Sequence, residues 1–219
     1  MAEFQVAIDG PAGSGKSTIS KLIADKLKMT HIDTGAMYRA VTLIAIEKNI
    51  DLNDEKAYEF LESIYISYEH DRILVNDRDV TEEIRSKEVT NNVSLVSSFP
   101  YVRRKMVDLQ KKAAENGRVI MDGRDIGTVV LPNANLKIFL TAKVEERAKR
   151  RQLEKIKKGH NVEFEKLVEE IQIRDQKDST RKESPLKKAD DAIEIDTTNL
   201  DINQVVEKII GLINSAKGA

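Results

Sequence analysis

The residues Gly10-Pro11-Ala12-Gly13-Ser14-Gly15-Lys16-Ser17, followed by Thr18, satisfy G-x-x-x-x-G-K-[ST] at every fixed position. Glycines at these places let backbone N–H groups turn inward around a polyphosphate with no Cβ in the way. A helix starting near Gly15 aims the positive end of its dipole at the same oxygens. Lys16 can reach β- and γ-phosphates, and the Ser17 hydroxyl can join the shell of a Mg²⁺ ion. The chemistry implied is binding of ATP or GTP with Mg²⁺.

A second anion is implied elsewhere. The apolar run Val119-Ile120-Met121-Asp122 leads into Gly123-Arg124-Asp125-Ile126-Gly127. An arginine after that aspartate speaks for binding a further anion more than for orienting a hydrolytic water. The Asn-Lys-x-Asp tetrapeptide of guanine-selective switch proteins does not occur in the chain. Arg39, Arg103, Arg124, Arg174 and Arg181 read as lying in loops or at element ends. Guanidinium forks match phosphate oxygens bidentately and keep their charge, so several together suit a phosphorylated acceptor. A phosphate monoester is already mostly dianionic at neutral pH, so such an acceptor needs no general base. Small-molecule kinase is the class these features favour. A kinase for another small phosphorylated acceptor and a slowly hydrolysing nucleotide switch remain as rivals.

Short apolar strands are expected at Phe4 to Asp9, Val119 to Asp122, Leu136 to Thr141 and Ala192 to Asp196. Helical periodicity occupies Lys16 to Leu27, where Ile19, Leu22, Ile23 and Leu27 share one face. It returns at Tyr101 to Ala114, Val144 to Lys157, Phe164 to Asp178 and Ile202 to Ile213. Strands alternating with helices predict a parallel sheet covered on both faces. The stretch Ile64 to Val80 breaks that rhythm: short alternating runs joined at His70-Asp71 and Asn76-Asp77 predict an antiparallel meander. It reads as a subdomain inserted over about Asp51 to Phe99. Lys143 to His160 carries eight Lys/Arg against three Glu, a basic face on a helix.

The chain has 219 residues, 40% of them hydrophobic, and 36 Lys and Arg nearly balance 37 Asp and Glu for a formal charge of −1. Wholesale coating of nucleic acid or a membrane surface needs a lopsided basic charge, so neither is expected and any anion site is local. The lack of cysteine excludes disulfides, thiolate metal sites and a cysteine nucleophile, and suits a reducing compartment such as the cytoplasm. No apolar run approaches the roughly 18 residues of a membrane span, and no signal peptide is expected at the N-terminus. The histidines His31, His70 and His160 lack metal-ligand spacing and read as surface or satisfied side chains.

Taken in order, several blocks resemble the bacterial-type cytidylate kinases of the nucleoside monophosphate kinase group. They are Ile8 to Thr18; Asp33-Thr34-Gly35-Ala36-Met37-Tyr38-Arg39; Glu83-Ile84-Arg85; Phe99-Pro100; Asp122 to Val130; Arg174 to Arg181; and Ser184-Pro185-Leu186. The resemblance runs from Phe4 to about Ile213. It implies a single P-loop kinase domain over 1–219, a three-layer α/β fold. The core would be about 1–33, 100–143 and 180–219, with a monophosphate-binding insert at about 34–99 and a mobile basic lid at about 147–165. The implied reaction is ATP-dependent phosphorylation of CMP and dCMP, with Mg²⁺, by a cytoplasmic monomer. Gly10 to Thr18 would hold ATP and Ser17 the metal. Arg39, Arg124 and Arg181 would hold the acceptor phosphate. Ser94, Arg103 and Asp125 would meet the cytosine, and Arg174 with Asp178 the ribose. Thr34 stands where the family often has Ser. Lys16 and Arg124, with Arg147, Arg150 and Arg151 from the lid, would stabilise the transferring group.

Overall fold

The computed structural model describes residues 4–69, 72–115, 117–157, 159 and 161–217. In chain order the elements are β1 (Phe4–Asp9), α1 (Lys16–Leu27), β2 (Thr30–Asp33), α2 (Thr34–Glu47), β3 (Ile66–Glu69), β4 (Arg72–Val75), β5 (Arg78–Asp79), α3 (Lys87–Val96) and α4 (Pro100–Ala113). Then follow β6 (Arg118–Gly123), β7 (Leu136–Thr141), α5 (Val144–Lys157), α6 (Phe164–Thr180), β8 (Ile193–Asp196) and α7 (Ile202–Lys217). A π-helical turn, Ile126–Val130, sits between β6 and β7. The chain divides into two compact units, one of Met1–His31 with Asn116–Ala219 and one of Ile32–Glu115.

The first unit is built on a five-stranded sheet in the order β2-β6-β1-β7-β8. β1 runs parallel to both β6 and β7, and β7 parallel to β8. This is the expected α/β layout with a mainly parallel sheet. Phe4, Val6 and Ile8 point to one face, with Ile120, Ile138, Leu140 and Ile195 beside them. Ile19 and Ile23 of α1 and Val205, Val206, Ile209 and Ile213 of α7 close that face into one core. Ala7, Val119 and Met121, on the opposite face, are equally shut off from water. Burial on both faces explains why these strands read as continuous apolar runs. A smaller cluster, Ala148 with Leu167 and Ile171, joins α5 to α6.

In the second unit β3, β4 and β5 form the expected antiparallel meander, with Ile66 opposite Val75 and Leu74 opposite Asp79. Asn76 and Asp77, both at positive φ, form the two-residue turn between β4 and β5. The other expected turn, His70-Asp71, lies outside the described residues. Tyr58 is fully buried against Phe60 and Phe99 and donates its hydroxyl to the Leu52 carbonyl at 3.0 Å. Three elements were not expected from the sequence: β2, α2 and α3. α2 starts on the Asp33 carboxylate, which accepts from the Ala36 amide, and α3 on the Ser86 hydroxyl, which accepts from Val89. α4 begins at Pro100, and by its packing it belongs with the second unit.

Candidate active site

The turn from β1 into α1 is shaped by three glycines at positive φ, Gly10, Gly13 and Gly15. At Gly10 the requirement is also steric, because a Cβ there would lie 2.0 Å from the Leu140 carbonyl oxygen. The Lys16 ammonium folds back over the loop and donates to the Pro11 carbonyl at 2.8 Å and the Ser14 hydroxyl at 3.4 Å. Burial, then the neighbouring Arg124 guanidinium, pull its pKa well below the usual lysine range. A polyphosphate entering the loop would reverse that balance, supplying the negative charge that a buried ammonium needs.

Next to the lysine, the Ser17 hydroxyl donates to Asp122 Oδ2 at 2.7 Å. Asp122 ends the apolar part of β6 and is buried. Its other oxygen, Oδ1, lies 2.7 Å from His31 Nε2. Among the described residues no three His, Cys, Asp or Glu side chains gather as a metal-binding group. The protein thus offers two hard oxygens here, a hydroxyl and a carboxylate. That donor set fits Mg²⁺, which keeps most of its waters and is completed by substrate phosphates. Asp122 was not among the site residues expected from the sequence. Its signal was the apolar strand ending in Asp, read there mainly for the arginine that follows.

Asp9, at the end of β1, accepts from the amides of Ile126 and Gly127 at 2.8 and 2.7 Å. Burial pushes its pKa up to about 6, partly offset by those two amides. The two bonds fix the turn after β6, which carries Arg124 and Asp125. Arg124 Nε donates to Asp178 Oδ2 at 2.9 Å. Arg181 lies 3.9 Å from the same carboxylate and 3.7 Å from Asp125. Arg181 is aimed by its own bond to the Ser184 carbonyl at 2.7 Å. Burial works to raise the pKa of Asp178, yet Arg124, Arg174 and Arg181 together hold it below the usual carboxylate range. Three guanidiniums and two carboxylates of the first unit therefore form one network close to Lys16.

Arg147 is buried rather than poised in solvent. It donates to the Ala142 carbonyl at 3.0 Å and the Ala12 carbonyl of the phosphate loop at 2.9 Å, and pairs with Asp175 at 2.6 Å. Arg150 is turned to Thr197, whose carbonyl and hydroxyl it reaches at 2.7 and 3.1 Å. Arg151 follows Arg147 by one turn on the same face of α5 and is half-buried. Lys158 and His160, within the expected lid, lie outside the described residues.

In the second unit Arg39 donates to Thr90 Oγ1 at 2.9 Å and to the Ile84 carbonyl at 3.3 Å. Arg103 is buried, lies over the Tyr38 ring at 5.3 Å and donates to the Ser97 carbonyl at 3.2 Å. Thr34 is buried as the first residue of α2, and Ser94 is half-buried on α3. The placement of the arginines in loops or at element ends needs correction. Arg39 lies inside α2, Arg174 inside α6 and Arg103 in the first turns of α4. Only Arg124, after β6, and Arg181, capping α6, fit that expectation. Isolated arginines within amphipathic stretches look solvent-facing in sequence, whereas Arg39 bonds to Ile84 and Thr90 and Arg103 lies over Tyr38, partners distant in the chain.

Solved structures share this fold at low identity. Shikimate kinase from Bacteroides thetaiotaomicron aligns over 97% of this chain and 99% of its own, with a TM-score of 0.51 and 14% identity. An uncharacterized protein from Eubacterium ventriosum ATCC 27560 aligns over 98% and 99%, with a TM-score of 0.54 and 13% identity. What they share with this chain is the fold, a mainly parallel sheet flanked by helices. The family model described as Cytidylate kinase matches residues 6–215. Cytidylate kinase of Acholeplasma laidlawii (strain PG-8A) is 66% identical over 218 residues, covering 100% of this chain and 98% of the relative. Those of Bacillus licheniformis and Geobacillus sp. (strain WCH70) are each 54% identical, covering 95% and 98% of this chain and the same shares of their own. The chain belongs to the cytidylate kinase family, as the motif blocks led one to expect.

Proposed function

We propose that the chain transfers the γ-phosphoryl group of ATP to CMP and dCMP, giving ADP with CDP or dCDP. The observation that carries this reading is the direct neighbourhood of Lys16 in its glycine loop and the network Arg124, Arg174, Arg181, Asp178 and Asp125. One part of the site suits a triphosphate, the other a second anion. Gly10 to Thr18 hold the donor phosphates, and Lys16 leaves the Pro11 carbonyl to meet them. Arg124 and Arg181 take the acceptor phosphate in exchange for Asp178 and Asp125, with Arg174 and Asp178 at the ribose. In the second unit Arg39 is assigned to the acceptor phosphate and Arg103 with Ser94 to the base, and Thr34 is a further substrate-binding residue. Ser17 and Asp122 hold Mg²⁺, which when bound neutralises charge on the phosphates. Transfer then rests on in-line positioning and on the charges of Lys16, Arg124, Arg147 and Arg151. Region 147–165 acts as the lid and 34–99 as the monophosphate-binding insert. Small nucleotides, not nucleic acid or a membrane, are the proposed partners of a monomeric chain, in keeping with its even charge balance, and the cytoplasm is its proposed place, in keeping with its lack of cysteine.

Base selection is assigned to Asp125. Cytosine presents an exocyclic amine to a carboxylate, whereas uracil presents a carbonyl, lone pair against lone pair. An unpaired buried polar contact costs about 1–3 kcal/mol. ATP consumption measured side by side with CMP, dCMP, UMP and AMP should show turnover with the first two and little with the others. Asp125→Ala should narrow the CMP/UMP ratio of kcat/KM by about 5- to 150-fold. Turnover independent of acceptor, or an unchanged ratio in the variant, would refute the reading.

A further inference from the structure

His31 is the second residue of β2, which neighbours β6 in the sheet. Its Nε2 lies 2.7 Å from Asp122 Oδ1, and its side chain is 19% exposed. A carboxylate only accepts, so Nε2 carries the hydrogen and donates. Asp122 is thereby held from two directions, by His31 on Oδ1 and by Ser17 on Oδ2 at 2.7 Å. A third group pulls on it: Asp122 is among the charges that act on the Lys16 ammonium. Rotation of the Asp122 carboxylate toward that cation would break its pairing with the Ser17 hydroxyl. A second bond on the far oxygen opposes that rotation.

We propose that His31 is a positioning residue for the metal side of the site. It holds Asp122 so that the carboxylate and the Ser17 hydroxyl face a divalent cation as a matched pair of oxygens. The inference rests on the reading of Ser17 and Asp122 as the metal-holding pair. Groups that orient metal ligands in this way typically carry 10- to 100-fold in metal affinity.

The test is titration of Mn²⁺ into the full chain with ADP, protein in excess over ADP, following free Mn²⁺ by its electron paramagnetic resonance signal. His31→Leu should weaken Mn²⁺ binding about 10- to 100-fold, with ADP affinity in metal-free buffer within about threefold of wild type. His31→Gln, whose amide N–H can still donate to Asp122, should return to within a few-fold of wild type. Ser17→Ala and Asp122→Asn set the reference. If both weaken Mn²⁺ binding while His31→Leu does not, the positioning role is wrong and the metal-pair reading stands. A Gln variant as weak as Leu also overturns the role, since the loss would then follow ring volume rather than the hydrogen bond. If neither reference variant weakens binding, the metal-pair reading itself fails. Should His31→Leu not fold, His31→Asn, too short to reach Asp122, replaces it with the same expected loss.

Discussion

Burial of the Lys16 ammonium carries a cost that a bound polyphosphate would offset. The ammonium is buried and its charged form disfavoured, first by desolvation and then by Arg124. Replacing it by a neutral side chain should therefore spare the fold, because the Pro11 carbonyl keeps the Ser14 amide as a donor. Lys16→Met is expected to keep the wild-type thermal midpoint at neutral pH and to lose at least about 10²-fold in kcat, read by calorimetry and an ADP-release assay. Arg147 and Arg151 should separate in the opposite sense. Arg147→Met strands Asp175 and frees the Ala12 carbonyl, so denaturant unfolding should show a loss of about 2–4 kcal/mol. Arg151→Met should lower activity with stability within about 0.5 kcal/mol. The phosphate loop was legible residue by residue because its chemistry is local. Asp9 and the His31–Asp122 pair were not, since each acts on groups that only folding brings near: Asp9 on the amides of Ile126 and Gly127, His31 on the end of β6.

Among the elements, β1, β6, β7 and β8 and helices α1, α4, α5, α6 and α7 were readable to within a few residues, the strands as short apolar runs and the helices by their apolar period. β2 is four residues with an exposed Thr30 and a histidine, too short and too polar to show a period. α2 hides behind Gly35 in its first turn, and α3 contains Thr90-Asn91-Asn92, all weak helix formers. Their caps, Asp33 and Ser86, were the available signals. The junction of β1 with α1 yields a prediction at this scale. Gly10→Ala places a methyl against backbone, at the Leu140 carbonyl, in a conformation unfavourable to L-residues. It should lose at least about 3 kcal/mol or fail to fold. Gly13→Ala, whose Cβ would meet the Arg147 Cβ at 3.3 Å, should cost about 1–2 kcal/mol. Urea melts of the two variants test the order.

For the whole molecule, Asp9 ties stability to pH. Burial pushes its pKa up to about 6 in the folded chain, above the ordinary aspartate value of about 3.9. The native state thus binds more protons than the unfolded state in that window, and stability falls as pH rises through it. Relative to Asp9→Asn, the wild type should lose up to about 3 kcal/mol between about pH 4 and 7, levelling off above that, read from denaturant melts. The division into units was only partly legible: the meander marked an insert, while α4, which continues the chain back toward β6, packs with Ile32–Glu115. The sheet order has a further consequence, for synthesis. β1 is the middle strand, yet its two neighbours are made last among the three, with Phe4 opposite Arg118 and Val6 opposite Leu136. At roughly 5–20 residues per second, an emerging chain waits on the order of ten seconds with that apolar ribbon unpaired. Ribosome-bound chains ending before β7 should therefore be the ones that depend on chaperones.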